Sequence, residues 1–290
     1  MLTRLALGLL WLMHFLPQRL LARIGQGLGL ALMALGAERR RVVHANLRLC
    51  FPEMDARARS RLARAHFRAV GRALAETTIA WWSGAARVRR LAKIEGWEHF
   101  ERADRASATI ILAPHFVGVD VLAIRLSIEH DAMSMYSQQK DPLFDRFLKS
   151  RRTRFRPIRL ASRQDGIKPV IRGLRARLPL FFLPDMDFGP RDALFVPFFG
   201  VQTATIDAVP RLAALAKATI VPVVIRQNGV AEGYTICFHP PWKDYPTGNL
   251  HADTARMNAF IEERVREMPE QYYWLHKRFK TRPPGEERIY

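Results

Sequence analysis

Cysteine is nearly absent: Cys50 and Cys237 are the only two in 290 residues. They have no CxxC spacing and no flanking ligand pattern, which argues against zinc and gives no basis for a disulfide framework. Both read as buried free thiols. The chain also lacks a GxSxG elbow, a P-loop and a GxGxxG turn. Those absences exclude a serine esterase, an NTPase and a dinucleotide enzyme on motif grounds. There is no internal repeat, low-complexity tract or long linker. Acidic residues are scarce, with 27 Asp and Glu against 46 Lys and Arg, a net charge of +19 and a pI near 11.0. Such a field favours an anionic partner: nucleic acid, an acidic protein or an anionic membrane. Most of the cations are arginines, which suit bidentate phosphate binding better than lysines do.

No apolar run reaches the roughly 20 residues of a comfortable bilayer span. What the N-terminus has instead is a broken pair. Leu2 to Leu16 is apolar apart from Thr3, Arg4 and His14, Pro17-Gln18-Arg19 interrupts it, and Ile24 to Gly36 resumes it with many small residues. Arg39, Arg40 and Arg41 follow. The pattern predicts a membrane-associated hydrophobic anchor over 1–38, as a helical hairpin or a kinked segment, with the arginines on the cytoplasmic side. A cleaved signal peptide is the rival reading, but no small-x-small site ends the first run. A buried helix pair is the other.

Residues 39–290 are expected to form a single α/β domain, since 49% hydrophobic residues supply a sizeable core. Arg40 to Ala80 has helical, amphipathic spacing. The stretch from Ile110 to Asp120 organises the rest. Thr109 to Ala113 is an apolar run suited to a buried parallel strand, and Pro114 ends it. His115 then lies at the strand's carboxyl end, where open α/β sheets bind ligands. Gly118 leads into an apolar-rich helix from Val119 to Ser127. On one ideal helix His115 and Asp120 would diverge by about 140°. They meet only if His115 lies in the turn and Asp120 in the first helical turn. There Asp120 would hold one imidazole tautomer and leave the other nitrogen as a general base. The alternative is a polar turn with a surface histidine and a capping aspartate.

Further on, Ala132 to Ser137 reads as a strand, and Asp141-Pro142 opens a helix that runs into the densest positive cluster, Lys149 to Arg156. That cluster is either a solvated helix end or a site for phosphate or a developing oxyanion. Ile158 to Leu160 reads as a strand, Gly166 to Arg177 as a helix and Leu180 to Leu183 as a buried strand. The last of these ends in Pro184-Asp185-Met186-Asp187-Phe188-Gly189-Pro190-Arg191. Polar loops recurring at strand ends point to a shared cleft. Val196 to Gly200 is expected as an apolar loop, Thr203 to Lys217 as a helix, Ile220 to Ile225 as a core strand, Tyr234 to Phe238 as an edge strand and Thr254 to Glu267 as a helix.

Runs along nearly the whole chain resemble the secondary (late) lipid A biosynthesis acyltransferases. They are Arg40 to Glu53, Pro114 to Asp120, Asp185 to Arg191, Phe195 to Gly200, Val221-Pro222 and Tyr273 to Pro283. The HxxxxD spacing alone is shared with glycerolipid acyltransferases; the runs around Gly189 and Phe279 are more specific. Gly189-Pro190-Arg191 and the Phe279 tail lean toward the lauroyl-type branch rather than the myristoyl-type. Many members carry Glu where this chain has Asp120, so the carboxylate is kept with a shorter reach. The resemblance implies a glycerolipid-acyltransferase-like α/β fold, a central sheet flanked by helices with an N-terminal hydrophobic membrane anchor. It implies transfer of a fatty acyl chain from acyl carrier protein to a hydroxyl of a hydroxyacyl chain on a Kdo-bearing lipid A precursor. It places the enzyme at the bacterial inner membrane facing the cytoplasm, with no nucleic-acid partner, no metal and no cofactor beyond the donor. An acceptor that is another bacterial lipid, or a basic binding protein without catalysis, are the competing readings.

Under that resemblance His115 is the base, Asp120 its orienting partner and Arg152 the oxyanion donor by its place in the family pattern, with Arg154 in reserve. Asp185, Asp187, Gly189 and Arg191 are expected on the acceptor side, Arg191 pairing with phosphate or an aspartate.

Overall fold

A computed structural model describes residues 2–162, 166–191 and 193–290. Its helices are α1 (Leu2–Met13), α2 (Gln18–Leu35), α3 (Ala37–Cys50), α4 (Ala56–Trp82), α5 (Ala85–Leu91), α6 (Trp97–Ala106), α7 (Val119–Leu126), α8 (Pro142–Arg152), α9 (Lys168–Arg175), α10 (Ala208–Ala216) and α11 (Leu250–Glu267). The strands are β1 (Ala92–Glu95), β2 (Ala108–Leu112), β3 (Met133–Tyr136), β4 (Arg159–Ser162), β5 (Leu180–Phe182), β6 (Ala193–Phe198), β7 (Val201–Ile206), β8 (Ala218–Gln227) and β9 (Tyr234–Phe238). Seven of them form one sheet in the order β1-β9-β8-β2-β5-β3-β4, and β6 and β7 form a separate hairpin. From β8 to β4 every pair is parallel; β9 runs antiparallel to β8 and parallel to β1. The result is the expected mixed α/β fold, a mostly parallel sheet flanked by helices.

β2 is central and buried along its whole length, as its unbroken Ala-Thr-Ile-Ile-Leu run requires. It pairs with β8 and β5, and the register sets Leu112 opposite Phe182. Three residues beyond each strand end this register brings the loops of His115 and Asp185 level. The strand order, rather than any local motif, creates that neighbourhood.

Three expected elements differ. Val196 to Gly200 belongs to the β6–β7 hairpin, whose Phe199-Gly200 corner has both φ values positive (51° and 74°). Two such residues in a row are what a tight hairpin turn demands. The helix expected from Thr203 is strand until Ile206, because Thr203 and Thr205 bury against the hairpin partner, and helix begins only after Asp207. Tyr234–Phe238 is interior, covered by β1 on its far side.

The N-terminal apolar stretch is partly absorbed into the fold. α2 lies against α4 so closely that a Cβ at Gly29 would stand 1.9 Å from the Phe67 carbonyl oxygen, and one at Gly71 would stand 2.2 Å from that of Gly25. α2, within the expected anchor 1–38, thus packs directly on α4 of the α/β domain. Among the described residues no single helix is long and apolar enough to cross a membrane, and α2 and α3 together are bent by 94°. Of the twelve exposed large apolar side chains among the described residues, nine nonetheless fall between Leu5 and Leu35.

Candidate active site

His115 is fixed through its backbone before its ring is considered. Its N–H donates to Asp185 Oδ2 (2.9 Å) and its carbonyl accepts from Tyr273 N–H (2.9 Å). The next turn is closed by Val117 N–H donating to the Gln271 carbonyl and by the Phe116–Tyr272 bridge. Gly118 then takes φ +89°, and a Cβ there would come within 2.8 Å of the Tyr234 ring. The glycine is required twice over, by conformation and by space. α7 follows at once, with Asp120 in its first turn.

The imidazole does not meet Asp120. His115 Nδ1 lies 2.7 Å from Asp185 Oδ1, so one buried carboxylate holds both the ring and the main chain of the histidine. Burial works to raise the pKa of Asp185, but the charge of His115 and its two hydrogen bonds outweigh burial and hold the carboxyl below its ordinary value. An ionised Asp185 fixes the proton on Nδ1, and Nε2 keeps its lone pair. Asp120 turns instead to Arg152, whose Nη2 lies 2.7 Å from Asp120 Oδ1. The orienting contact expected of Asp120 is thus made by Asp185, because the register between β2 and β5 delivers a carboxylate to the ring before the chain reaches α7.

Arg152 is the last residue of α8, and its guanidinium stands 5.9 Å from the centre of the Tyr136 ring. His115, Asp120, Arg152 and Arg191 all line one cavity of about 850 Å³. From these polar groups the lining continues along apolar side chains such as Ile111, Ala123, Leu126 and Met135. It reaches Ala132 and Ile158, which precede β3 and β4 and so lie at the opposite end of the sheet from His115. The cavity has the His115 cluster at one end of a mainly apolar wall, with His130 and Asp131 beside Ala132 at the other, and its apolar lining with a few polar groups is usual for a small-molecule site.

Other expected residues have structural duties. Arg154 donates to the carbonyls of Ala80 (2.9 Å) and Ser83 (2.8 Å), satisfying the last turn of α4, and it is not part of the cavity wall. It cannot stand in for Arg152 without abandoning that helix end. Asp187 is buried and accepts from Gly189 N–H, Thr281 N–H and the Thr281 hydroxyl, which ties the loop after β5 to the C-terminal segment. Gly189 supplies the φ of +96° that this turn needs. Neither residue lines the cavity; of the residues expected on the acceptor side, Arg191 is the one in its wall. Tyr273, which opens the last resembling run but carries no expected site role, both supports His115 and lines the cavity. His276 accepts from Asp187 N–H through Nε2, and burial, followed by the charges of Arg278 and His115, lowers its pKa to about 4. Both cysteines are free, Cys50 buried and Cys237 half-buried.

The arrangement pairs a fixed imidazole with a nearby guanidinium at the mouth of an apolar cavity, which suits proton abstraction from a hydroxyl beside a long aliphatic group. Comparison with known proteins points the same way. The model of the bacterial lipid A biosynthesis acyltransferase family matches residues 1–281. The chain is similar to the lipid A biosynthesis lauroyltransferase of Escherichia coli K12, 35% identical over 286 residues that cover 98% of this chain and 93% of the relative. It is also similar to the myristoyltransferase of that organism, 35% identical over 92% of this chain and 82% of the relative. The palmitoleoyltransferase is 31% identical over 100% and 94%. The chain belongs to the bacterial lipid A biosynthesis acyltransferase family.

Proposed function

We propose that this protein moves a fatty acyl chain from acyl carrier protein to a hydroxyl of a hydroxyacyl chain on a Kdo-bearing lipid A precursor. The observation that carries the mechanism is the double hydrogen bond from His115 to Asp185 at the mouth of the apolar cavity. With Nδ1 engaged, Nε2 takes the proton of the acceptor hydroxyl as its oxygen attacks the thioester carbon. The carbon–oxygen bond forms, the carbonyl electrons move onto oxygen, and Arg152 stabilises that charge with N–H groups not given to Asp120. Collapse expels the thiolate, which recovers the proton from the imidazolium. Asp185 stabilises the imidazolium meanwhile, and Asp120 holds Arg152 in position.

The apolar interior accommodates the acyl chain, whose burial contributes about 0.8 kcal/mol for each methylene. The exposed apolar side chains of α1 and α2 support a reading in which they meet lipid and the protein works at the cytoplasmic face of the inner membrane. The test is transfer from labelled acyl carrier protein to purified precursor in detergent. His115→Ala should reduce it to near background while circular dichroism shows an intact fold. A folded variant that keeps most of its activity would refute the assignment.

A further inference from the structure

A second cavity, of about 680 Å³, lies apart from His115, between α3, the start of α4 and the C-terminal segment. Its wall is basic: Arg40, Arg41, Arg48, Arg59 and Lys277 surround His44. The one acidic side chain in the wall, Glu38, is matched by Lys277 at 2.9 Å. Among the described residues no carboxylate pairs with any of the four arginines. Two are held in place by main-chain carbonyls. Arg40 donates to Met33 (2.7 Å) and Ala34 (3.0 Å) at the end of α2, and Arg59 donates to Met54 and Phe51. Burial and then the charges of Arg40, Arg48 and Arg59 lower the pKa of His44, which lies in the same wall. Five cations lining one groove, two of them anchored and the arginines without a close carboxylate partner, suit an anion.

The position of the groove identifies the anion. It opens where the apolar face of α2 ends: Leu28 and Leu35 are exposed, Leu35 by 86%, and the chain bends by 94° into α3. A helix face that enters the acyl region, followed at once by clustered arginines, puts those arginines at the depth of lipid phosphates. Fixed guanidiniums match a phosphate better than the mobile carboxylates of an acidic protein helix.

We propose that this groove binds the phosphate of an anionic membrane lipid and so orients the protein on the bilayer. The proposal rests on the membrane-facing reading of α1 and α2 given above, and the two are separable by experiment. Full-length protein is floated with vesicles of phosphatidylcholine alone and with vesicles that also contain phosphatidic acid. The apolar face should give binding to both, and the groove a preference for the second. R41E/R48E, two exposed positions outside any hydrogen-bonded support, should lower that preference by about tenfold or more while binding to neutral vesicles persists. R102E/R105E, the same charge change on α6, should leave it close to that of the unaltered protein. Melting temperatures confirm that each variant is folded. Free glycerol 3-phosphate should compete only weakly, because it lacks the apolar half of the ligand. The groove assignment fails if R41E/R48E keeps the preference, if the α6 pair loses as much, or if only binding to acyl carrier protein falls. Failure to float with neutral vesicles would overturn the membrane-facing reading itself.

Discussion

Asp185 grips His115 twice, at the ring nitrogen and at the main-chain N–H, from a loop seventy residues away in sequence. The pairing follows from the register of β2 with β5: Asp185 makes the contact to His115 that was expected of Asp120, and Asp120 pairs with Arg152 instead.

Asp185→Asn keeps the size of the side chain and removes its charge. The amide can still accept from the main chain, but it no longer favours Nδ1–H or stabilises the imidazolium. Turnover should fall by about 10² to 10⁴ with the Michaelis constants little changed. Steady-state kinetics on a variant with an unaltered circular dichroism spectrum check this. A fall confined to the donor's Michaelis constant would instead make Asp185 a binding residue.

Asp120 and Arg152 should behave as one unit. Arg152→Ala removes the oxyanion donor and should lower turnover by about 10² to 10³. Asp120→Ala leaves the guanidinium without its 2.7 Å partner and should cost less. The double variant should be little worse than Arg152→Ala, a coupling that a thermodynamic cycle reads directly. Asp120→Glu should retain activity, given the glutamate that resembling sequences carry there. Strict additivity of the two single changes would show that the ion pair has no catalytic coupling.

Much of this site was legible locally. Pro114 stopping a buried run, His115 after it and Gly118 before a helix are all short-range signals, and α7, α8 and α9 lie close to their expected places. What was hidden depends on strands meeting out of sequence order. Nothing near His115 says that β5 is the neighbour of β2, so Asp185 could be seen as polar but not as the partner of His115. The β6–β7 hairpin was missed because Val196-Pro197-Phe198-Phe199-Gly200 does not alternate cleanly, yet burial does: Val196 and Phe198 are enclosed and Pro197 is exposed. In the arginine cluster, charge density could not tell Arg152, which faces a carboxylate, from Arg154, which faces carbonyls.

That last contrast is measurable. Arg154→Ala removes two charge-assisted bonds from the end of α4 and leaves the carbonyls of Ala80 and Ser83 short of donors. The expected cost is about 1–3 kcal/mol of stability, seen as a lower melting temperature, with turnover per folded molecule unchanged. A loss of turnover at full stability would return Arg154 to the catalytic group.

Acid should weaken the fold before it titrates Asp185. His66 is fully enclosed, with Nδ1–H donating to the Glu270 carbonyl (3.0 Å) and Nε2 without a partner among the described residues. Burial lowers its pKa to about 4, against an ordinary value near 6.5, and His276 is lowered to about 4 as well. A histidine whose folded pKa is depressed is neutral in the folded protein while the unfolded chain takes up a proton. Its contribution is therefore intact above about pH 6.5 and is lost progressively as pH falls toward about 4. Each such histidine adds a slope of at most about 1.4 kcal/mol per pH unit in that window. The depressed pKa of Asp185 acts lower, below the ordinary aspartate value near 3.9, so the two effects are resolved in pH. His66→Gln retains a donor for the Glu270 carbonyl and removes one titrating group. Urea unfolding between pH 7 and pH 4 should show a slope shallower by up to about 1.4 kcal/mol per pH unit in this variant. An unchanged slope would mean that protons taken up elsewhere govern acid sensitivity.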